Sequence, residues 1–351
     1  MKHTLIHKTV AWLTVILMAV LIVIPYGRTE EAAEEKEIHV VILATSDMHG
    51  NIWGFSYEEN KETTNNGMAR LYTYIQRVRE ENPVVFLIDG GDDIQGTIMT
   101  DDIANKTPDQ PHPVMIAMNY MKYDAMTLGN HEFDWGIGTM EKIIGQAKFP
   151  VLAANALDKD GKPITGQGWT IVDRGGIRMA VIGVVTPYVP VWDGKKDGVG
   201  ETTFTAADQA VQTAYEEILK SGSEPDLILV SAHMGEYAEF DEDGGSDSAI
   251  RIAEVNPGID ILQAAHMHIT VNDSINGIPV VGVRNAGREI ARIDIMLDTN
   301  HRITSIEKTI VDMAEEKPSE ALRSIPEIKT AHEAAIAYIR GGESETGAGF
   351  D

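Results

Sequence analysis

Seven short runs of Val, Ile, Leu and Ala constrain this chain more than any other feature, because five of its strand-like stretches stop at a cluster of Asp, His or Asn. The runs occupy residues 38–44, 84–88, 125–128, 151–154, 179–185, 227–231 and 259–264. Predominantly apolar stretches of this length predict strands buried on both faces. Between several of them the periodicity becomes helical. Residues 68–80 place Leu71, Ile75 and Val78 on one side of a helix, and residues 206–220 do the same with Ala210, Ala214 and Ile218. Two further strands are expected at 279–283 and 290–297, close enough in sequence to pair with each other antiparallel. The fold class read from this pattern is α/β, with strands buried between helices and no internal repeat.

The ends of the runs carry the chemistry. The first leads into Ser46-Asp47-Met48-His49-Gly50, the second into Asp89-Gly90-Gly91-Asp92-Asp93, and the third into Gly129-Asn130-His131-Glu132-Phe133-Asp134. The run at 227 leads into Ala232-His233-Met234-Gly235, and the run at 259 into Ala265-His266-Met267-His268. Each cluster has a plain structural explanation when taken alone. Asp92 suits a Gly-rich turn, Asn130 suits the cap of a following helix, and a lone His233 suits a hydrogen-bonded loop. Taken together those explanations fail, because five of the 11 His fall at strand ends. Ligands of α/β sheets bind beyond the carboxyl ends of the strands, so the five clusters would converge on one crevice and hold metal.

Composition narrows the metal and the substrate. The chain has no Cys, so thiolate ligands and cysteine nucleophiles are excluded. Metal would be held by His, Asp, Asn or water, which suits Mn, Zn, Fe, Mg or Ca. The formal charge of −25 argues against a nucleic-acid polymer as partner. It leaves room for a small phosphoester, because bound divalent cations reverse the local field.

The first 35 residues are read apart from the fold. Lys2 and Lys8 precede an apolar run at 10–24, broken only by Thr14, and no clean small-x-small cleavage site follows. This predicts an export signal or an N-terminal anchor with membrane contact, followed by an acidic tether. The rest of the chain would then work outside the cytoplasm, at the cell envelope or beyond. The catalytic domain is expected at 36–313. Residues 314–351 read as a helical linker, interrupted at Pro326 and ended by Gly341-Gly342, with a polar tail.

The ordered set Asp47-x-His49, Gly91-Asp92, Gly129-Asn130-His131-Glu132, His233 and His266-x-His268 resembles the calcineurin-like metallophosphoesterases. The runs at 44–51, 91–97, 112–119 and 127–134 are similar, more narrowly, to the bacterial 5′-nucleotidase family and its 2′,3′-cyclic-nucleotide phosphodiesterase/3′-nucleotidase branch. The resemblance covers roughly residues 38–340. It implies a layered sandwich of β-sheets flanked by helices and two divalent metal ions. On this basis Asp47, His49 and His268 would hold one ion, Asn130, His233 and His266 the other, and Asp92 would bridge them. His131, oriented by Asp134, would act at the leaving group.

Three departures from the family pattern are visible. Ala265 replaces the usual Gly before His-x-His, which would cost roughly 1 kcal/mol if that residue had to adopt a positive φ. Asp93 follows the bridging Asp92 and is read as a solvated turn residue rather than a group behind the ligands. The family's C-terminal domain, with its base-gripping aromatics, has no counterpart before Asp351, which predicts phosphoester hydrolysis with weak nucleotide affinity. The resemblance favours a 2′,3′-cyclic nucleotide or 3′-nucleotide as substrate. The alternatives are 5′-nucleotidase or nucleotide-sugar hydrolysis, or an inactive, binding-only remnant.

Overall fold

Val40, Ile42 and Ala44 face one side of the first strand and Val41 and Leu43 the other, and all five are buried. Such a strand must be covered on both faces, and the architecture follows from that need. The computed structural model describes residues 37–240 and 247–346. Among them, one six-stranded sheet contains β1 (Ile38–Thr45), β2 (Val85–Asp89), β3 (Ala125–Thr127), β4 (Val151–Leu152), β11 (Glu289–Leu297) and β12 (Ile303–Asp312), in the order β12-β11-β1-β2-β3-β4. The second contains β5 (Trp169–Arg174), β6 (Ile177–Val185), β7 (Leu227–His233), β8 (Ile261–Ala264), β9 (Val271–Ile275) and β10 (Ile278–Gly282), in the order β9-β10-β8-β7-β6-β5. The central strands of both sheets run parallel, and the antiparallel pairs lie toward the edges.

Three apolar cores make four layers. Ile42, Phe86 and Ile293 of the first sheet meet Val181, Leu229 and Ile261 of the second in the middle core. The outer face of the first sheet packs under α1 (Met68–Glu81) and α2 (Pro113–Met121), and that of the second under α5 (Ala207–Ser221) and α6 (Ala249–Val255). This is the layered α/β sandwich expected. The helices after residue 313 also join the first outer core. Leu322 of α7 (Glu320–Arg323) and Ile328 and Ala335 of α8 (Pro326–Thr346) are fully buried in the cluster that holds Met48 and Ile52. The His332 ring stacks on Trp53 at 4.0 Å, and its Nδ1 lies 2.8 Å from the Tyr57 hydroxyl. The C-terminal helices therefore brace the loop that leaves β1.

Two local expectations are corrected. The strands at 279–283 and 290–297 do not pair: β10 lies in the second sheet and β11 in the first, hydrogen-bonded to β1 and β12. Gly341-Gly342 does not end the last helix, which runs to Thr346. Pro326 stands at its first residue, where the missing N–H costs nothing. The basic start, apolar run and acidic tether lie outside the described residues. No described helix is long and apolar enough to cross a membrane.

Candidate metal centre

The two sheets are pinned together at the carboxyl ends of their central strands, just below the candidate ligands. Gln263 donates to the Thr45 carbonyl at 2.7 Å, and Ser231 Oγ donates to Gln263 Oε1 and to the Asp89 carbonyl. Both side chains are buried. Beyond this seam the chain turns sharply at every cluster. Asp47, His49, Asp92, His266 and His268 all have positive φ, between 46° and 68°. Left-handed backbone costs a non-glycine residue about 1 kcal/mol or more, so five such residues in one crevice mark a place where geometry has been held against local preference. Ala265, by contrast, is outside the positive-φ set. The penalty anticipated there does not arise, because the strained residue is the next one.

Backbone bonds stitch the loops to one another. Asp47 N–H donates to the Gly91 carbonyl, His49 N–H to Asp92, and Gly50 N–H to Asp93, at 2.7–2.9 Å. Gly91 has φ 94°, and a Cβ built on it would come within 2.3 Å of the Gly129 backbone nitrogen. A side chain there would separate the Asp92 and Asn130 loops.

Two donor groups result. One ligand atom each from Asp47, His49, Asp92 and His268 lie within 4.8 Å of one another, and so do atoms from Asp92, His233 and His266. Asp92 belongs to both. Asn130 does not cap the short turn after it; its Oδ1 lies 3.1 Å from His233 Nε2, at the second group. All seven candidate ligands thus come together. The eighth and ninth candidates, His131 and Asp134, adjoin them. His131 Nδ1 is 2.9 Å from Asp134 Oδ2, its ring is 5.4 Å from that of His49, and its backbone N–H donates to Asp92 Oδ1.

Do these atoms fit cations? Asp47 and Asp92 are essentially inaccessible to solvent, and their Oδ1 and Oδ2 oxygens face imidazole nitrogens, His268 Nε2 3.3 Å from Asp47 Oδ1 and His233 Nε2 3.1 Å from Asp92 Oδ2. Buried carboxylate oxygens cost several kcal/mol unless a positive charge meets them. His49 Nε2 and His268 Nε2 face each other at 2.9 Å. The remaining ring nitrogens are engaged from behind. His233 Nδ1 is 2.7 Å from the Gly90 carbonyl, His49 Nδ1 is 3.2 Å from Gln95 oxygens, and His266 Nε2 is 3.0 Å from Glu239 Oε2. Such contacts fix which nitrogen is turned toward a metal. The donor set fits two divalent cations.

Electrostatics without cations show the same demand. Burial acts to raise the Asp92 carboxyl, but His233, His49 and His131 outweigh it and hold the group below its ordinary value. Burial acts to lower His233 and His131; Asp92 and, for His131, the bond to Asp134 raise them to about 10 and about 9.

Behind the ligands lies a second layer that sequence reasoning missed. Glu132 is fully buried and accepts from the backbone N–H groups of Gly129, Asp92, Asp93 and Ile94. Burial and the charge of Asp92 raise it to about 7. Asp93 is also corrected: it is fully buried rather than solvated, and burial together with Asp89 and Glu132 raises its carboxyl well above the usual range. Asp89, raised to about 6 chiefly by burial, accepts from Thr45 Oγ1 and the Gly91 N–H. Glu132 stands inside the Asn-His-Glu run, but no spacing rule announces that it would collect four donors from two loops. Glu239 and Gln95 have no sequence signal.

Comparisons with known proteins give the family. The family described as calcineurin-like phosphoesterase matches residues 40–270. The chain is 30% identical over 360 residues to the trifunctional nucleotide phosphoesterase protein YfkN of Bacillus subtilis, covering 93% of this chain and 24% of that protein. It is 30% identical over 314 residues to a 2′,3′-cyclic-nucleotide 2′-phosphodiesterase/3′-nucleotidase of Yersinia enterocolitica, covering 82% of this chain and 47% of that one. The chain therefore spans half or less of the length of these relatives. The crystal structure of the calcineurin-like phosphoesterase YfkN superposes with a TM-score of 0.78 at 27% identity, over 87% of this chain and all of that one. With the fold, the ordered ligand-bearing loops and the family match in agreement, the chain belongs to the calcineurin-like phosphoesterases, a family of metal-dependent hydrolases.

Proposed function

We propose that this chain is a two-metal phosphoesterase acting on nucleotides, of the 2′,3′-cyclic-nucleotide phosphodiesterase/3′-nucleotidase type. The observation that carries the chemistry is Asp92: one buried carboxylate shared by two donor groups. The nucleotide part of the reading is supported by the activity for which the Yersinia relative is named and by the similar runs around the ligands.

In this reading Asp47, His49, Asp92 and His268 hold one cation, and Asp92, Asn130, His233 and His266 hold the other. Bound divalent cations supply activated water at neutral pH and neutralise phosphoryl charge. Four imidazoles among the ligands favour Mn, Fe or Zn over Mg or Ca. Asn130 contributes a neutral oxygen, which limits the negative charge that an anionic phosphate must approach. The buried floor of Asp89, Asp93 and Glu132 positions the loops and excludes water from behind the ligands. His131, whose Nδ1 is held by Asp134, presents Nε2 as the atom that delivers a proton to the departing ester oxygen. Its side chain is 37% exposed, so substrate can reach it.

The test is turnover by the purified full-length chain, stripped of metal and then supplied with Mn²⁺. Expected is metal-dependent hydrolysis of bis(p-nitrophenyl) phosphate and of 2′,3′-cyclic AMP, with 5′-AMP a poorer substrate. Preference for 5′-AMP would overturn the substrate type, and no turnover of any ester in any divalent metal would overturn the enzymatic reading. The same proposal places the catalytic unit outside the cytoplasm, on the basic start and the apolar run at 10–24. Fusing residues 1–35 to a reporter active only after export checks it; a reporter that stays inactive contradicts it.

A further inference from the structure

Eight large hydrophobic side chains are markedly exposed among the described residues, and five of them belong to the segments around His233, His266 and His268 and to the short helix whose Trp192 meets His266. Met267 and Ile269 flank the ligand candidates His266 and His268 in the chain, and Tyr237 follows His233 by four residues. Val191 and Trp192 belong to α4 (Val189–Asp193), a single turn after β6. Scattered exposed hydrophobics are ordinary, but a cluster beside a charged crevice is not.

Trp192 is the best placed of the five. Its ring lies 5.7 Å from that of His266, tilted by 38°. Phe240 supports it at 6.1 Å, and Tyr188 packs on Phe240 at 4.4 Å. The indole remains 39% exposed despite these neighbours. The next residue, Asp193, sits against Asp134, whose charge adds to burial in raising the Asp193 carboxyl. One short helix therefore touches the centre twice, at His266 through Trp192 and at the His131–Asp134 pair through Asp193. His131 is the group assigned above to the departing oxygen, so whatever is attached to that oxygen leaves past α4.

We propose that Trp192, backed by Phe240 and Tyr188, is a stacking surface for the planar ring of the group esterified to the phosphate, a nucleobase in a nucleotide substrate. The proposal rests on the phosphoesterase reading given above and names the part of the substrate that the catalytic domain itself recognises. A base offers a broad π-face to the indole while its polar edge stays in water, and this suits a half-exposed aromatic better than an aliphatic chain would. Asp193, Glu236 and Glu239 stand on the same segments and disfavour a second anionic group there. By contrast, the cavity of about 410 Å³ beside the His49 loop is lined mainly by polar groups, among them Asn51, Thr97, Asp101, Asp102 and Arg288, and offers no comparable exposed indole.

The test compares wild type, Trp192→Ala and Trp192→Phe, each full length and loaded with Mn²⁺, on three esters: 2′,3′-cyclic AMP, the baseless ribose 2′,3′-cyclic phosphate and p-nitrophenyl phosphate. For Trp192→Ala the expected result is a rise in KM for cyclic AMP of about 5- to 150-fold, with kcat within twofold. KM for the baseless ester should not move, and Trp192→Phe should recover most of the loss. A matching rise for p-nitrophenyl phosphate extends the surface to any aromatic leaving group; no rise there confines it to nucleobases. Equal effects on the cyclic AMP and baseless esters, or none on either, overturn the proposal. Calorimetric binding of AMP to the same proteins separates this from the reading beneath it. If no ester is hydrolysed, the phosphoesterase reading falls, while a Kd that is the same for wild type and Trp192→Ala overturns the stacking surface independently.

Discussion

Met267 and its two neighbours in the chain make the contrast between the floor of the centre and its rim. His266 and His268 are held in left-handed backbone, with His266 N–H directed at Asp47 Oδ2 and His268 Nε2 3.3 Å from Asp47 Oδ1. Met267 between them is 42% exposed and leans on Gly235, where an added Cβ would come within 2.7 Å of its Cγ. The floor is made of strained backbone, buried carboxylates faced by imidazoles and buried acids that tie loop to loop. The rim is made of apolar side chains on one helical turn and two loops. The floor has one workable arrangement because each of its groups is satisfied only by the others. The rim can change a side chain at a time, which is where substrate preference can be altered without disturbing the chemistry.

If that contrast is right, the largest effect belongs to the residue the two donor groups share. Asp92→Asn removes the charge that both groups use, and kcat should fall by about 10³-fold or more, measured on bis(p-nitrophenyl) phosphate with saturating Mn²⁺. A loss of less than tenfold would break the claim that Asp92 is central. Next is the hidden floor. Glu132→Gln turns an amide N–H₂ toward backbone donors, and urea unfolding of the metal-free protein should lose about 2–3 kcal/mol. An unchanged midpoint would mean that the four N–H contacts hold nothing together. Third is the boundary between floor and rim. Glu239→Gln should weaken the affinity of one Mn²⁺ by about 10- to 100-fold, read by competition with a chelator, and leave the other unchanged. The smallest effect belongs to the rim itself. Tyr237→Ser should change stability by no more than about 0.5 kcal/mol, and a larger loss in urea would show that the rim is structural after all.

Legibility in the sequence divides along similar lines. Strands β1, β2, β3, β7 and β8 are buried along most of their length, so their residues form largely apolar runs, and the ligand clusters stand directly after them. Spacing then suffices to bring the seven candidate ligands into one crevice. The edge strands β5, β9 and β12 escaped notice because their exposed residues break the run; β12 has no fully buried residue. The pairing of β10 with β11 was misjudged because short sequence separation suggests a hairpin, whereas the loop between them crosses from one sheet to the other. In that loop Ala286 N–H donates to the Asp47 carbonyl, so the crossing also closes the centre. Asp93 looked like a turn residue because an Asp after Gly-Gly-Asp is usually solvated. It is instead buried, with its backbone N–H held by Glu132 from another loop, and no local pattern contains that. The rim has no periodicity at all, since α4 is a single turn and Phe240 lies in an irregular segment.

The account depends most on two cations sharing one carboxylate. Titrating the metal-stripped chain with Mn²⁺ while following hydrolysis of bis(p-nitrophenyl) phosphate tests this directly. Predicted are two bound equivalents per chain in the wild type, with turnover appearing only as the second is filled. Saturation at one equivalent with full activity, or hydrolysis undiminished in the metal-free protein, would contradict it.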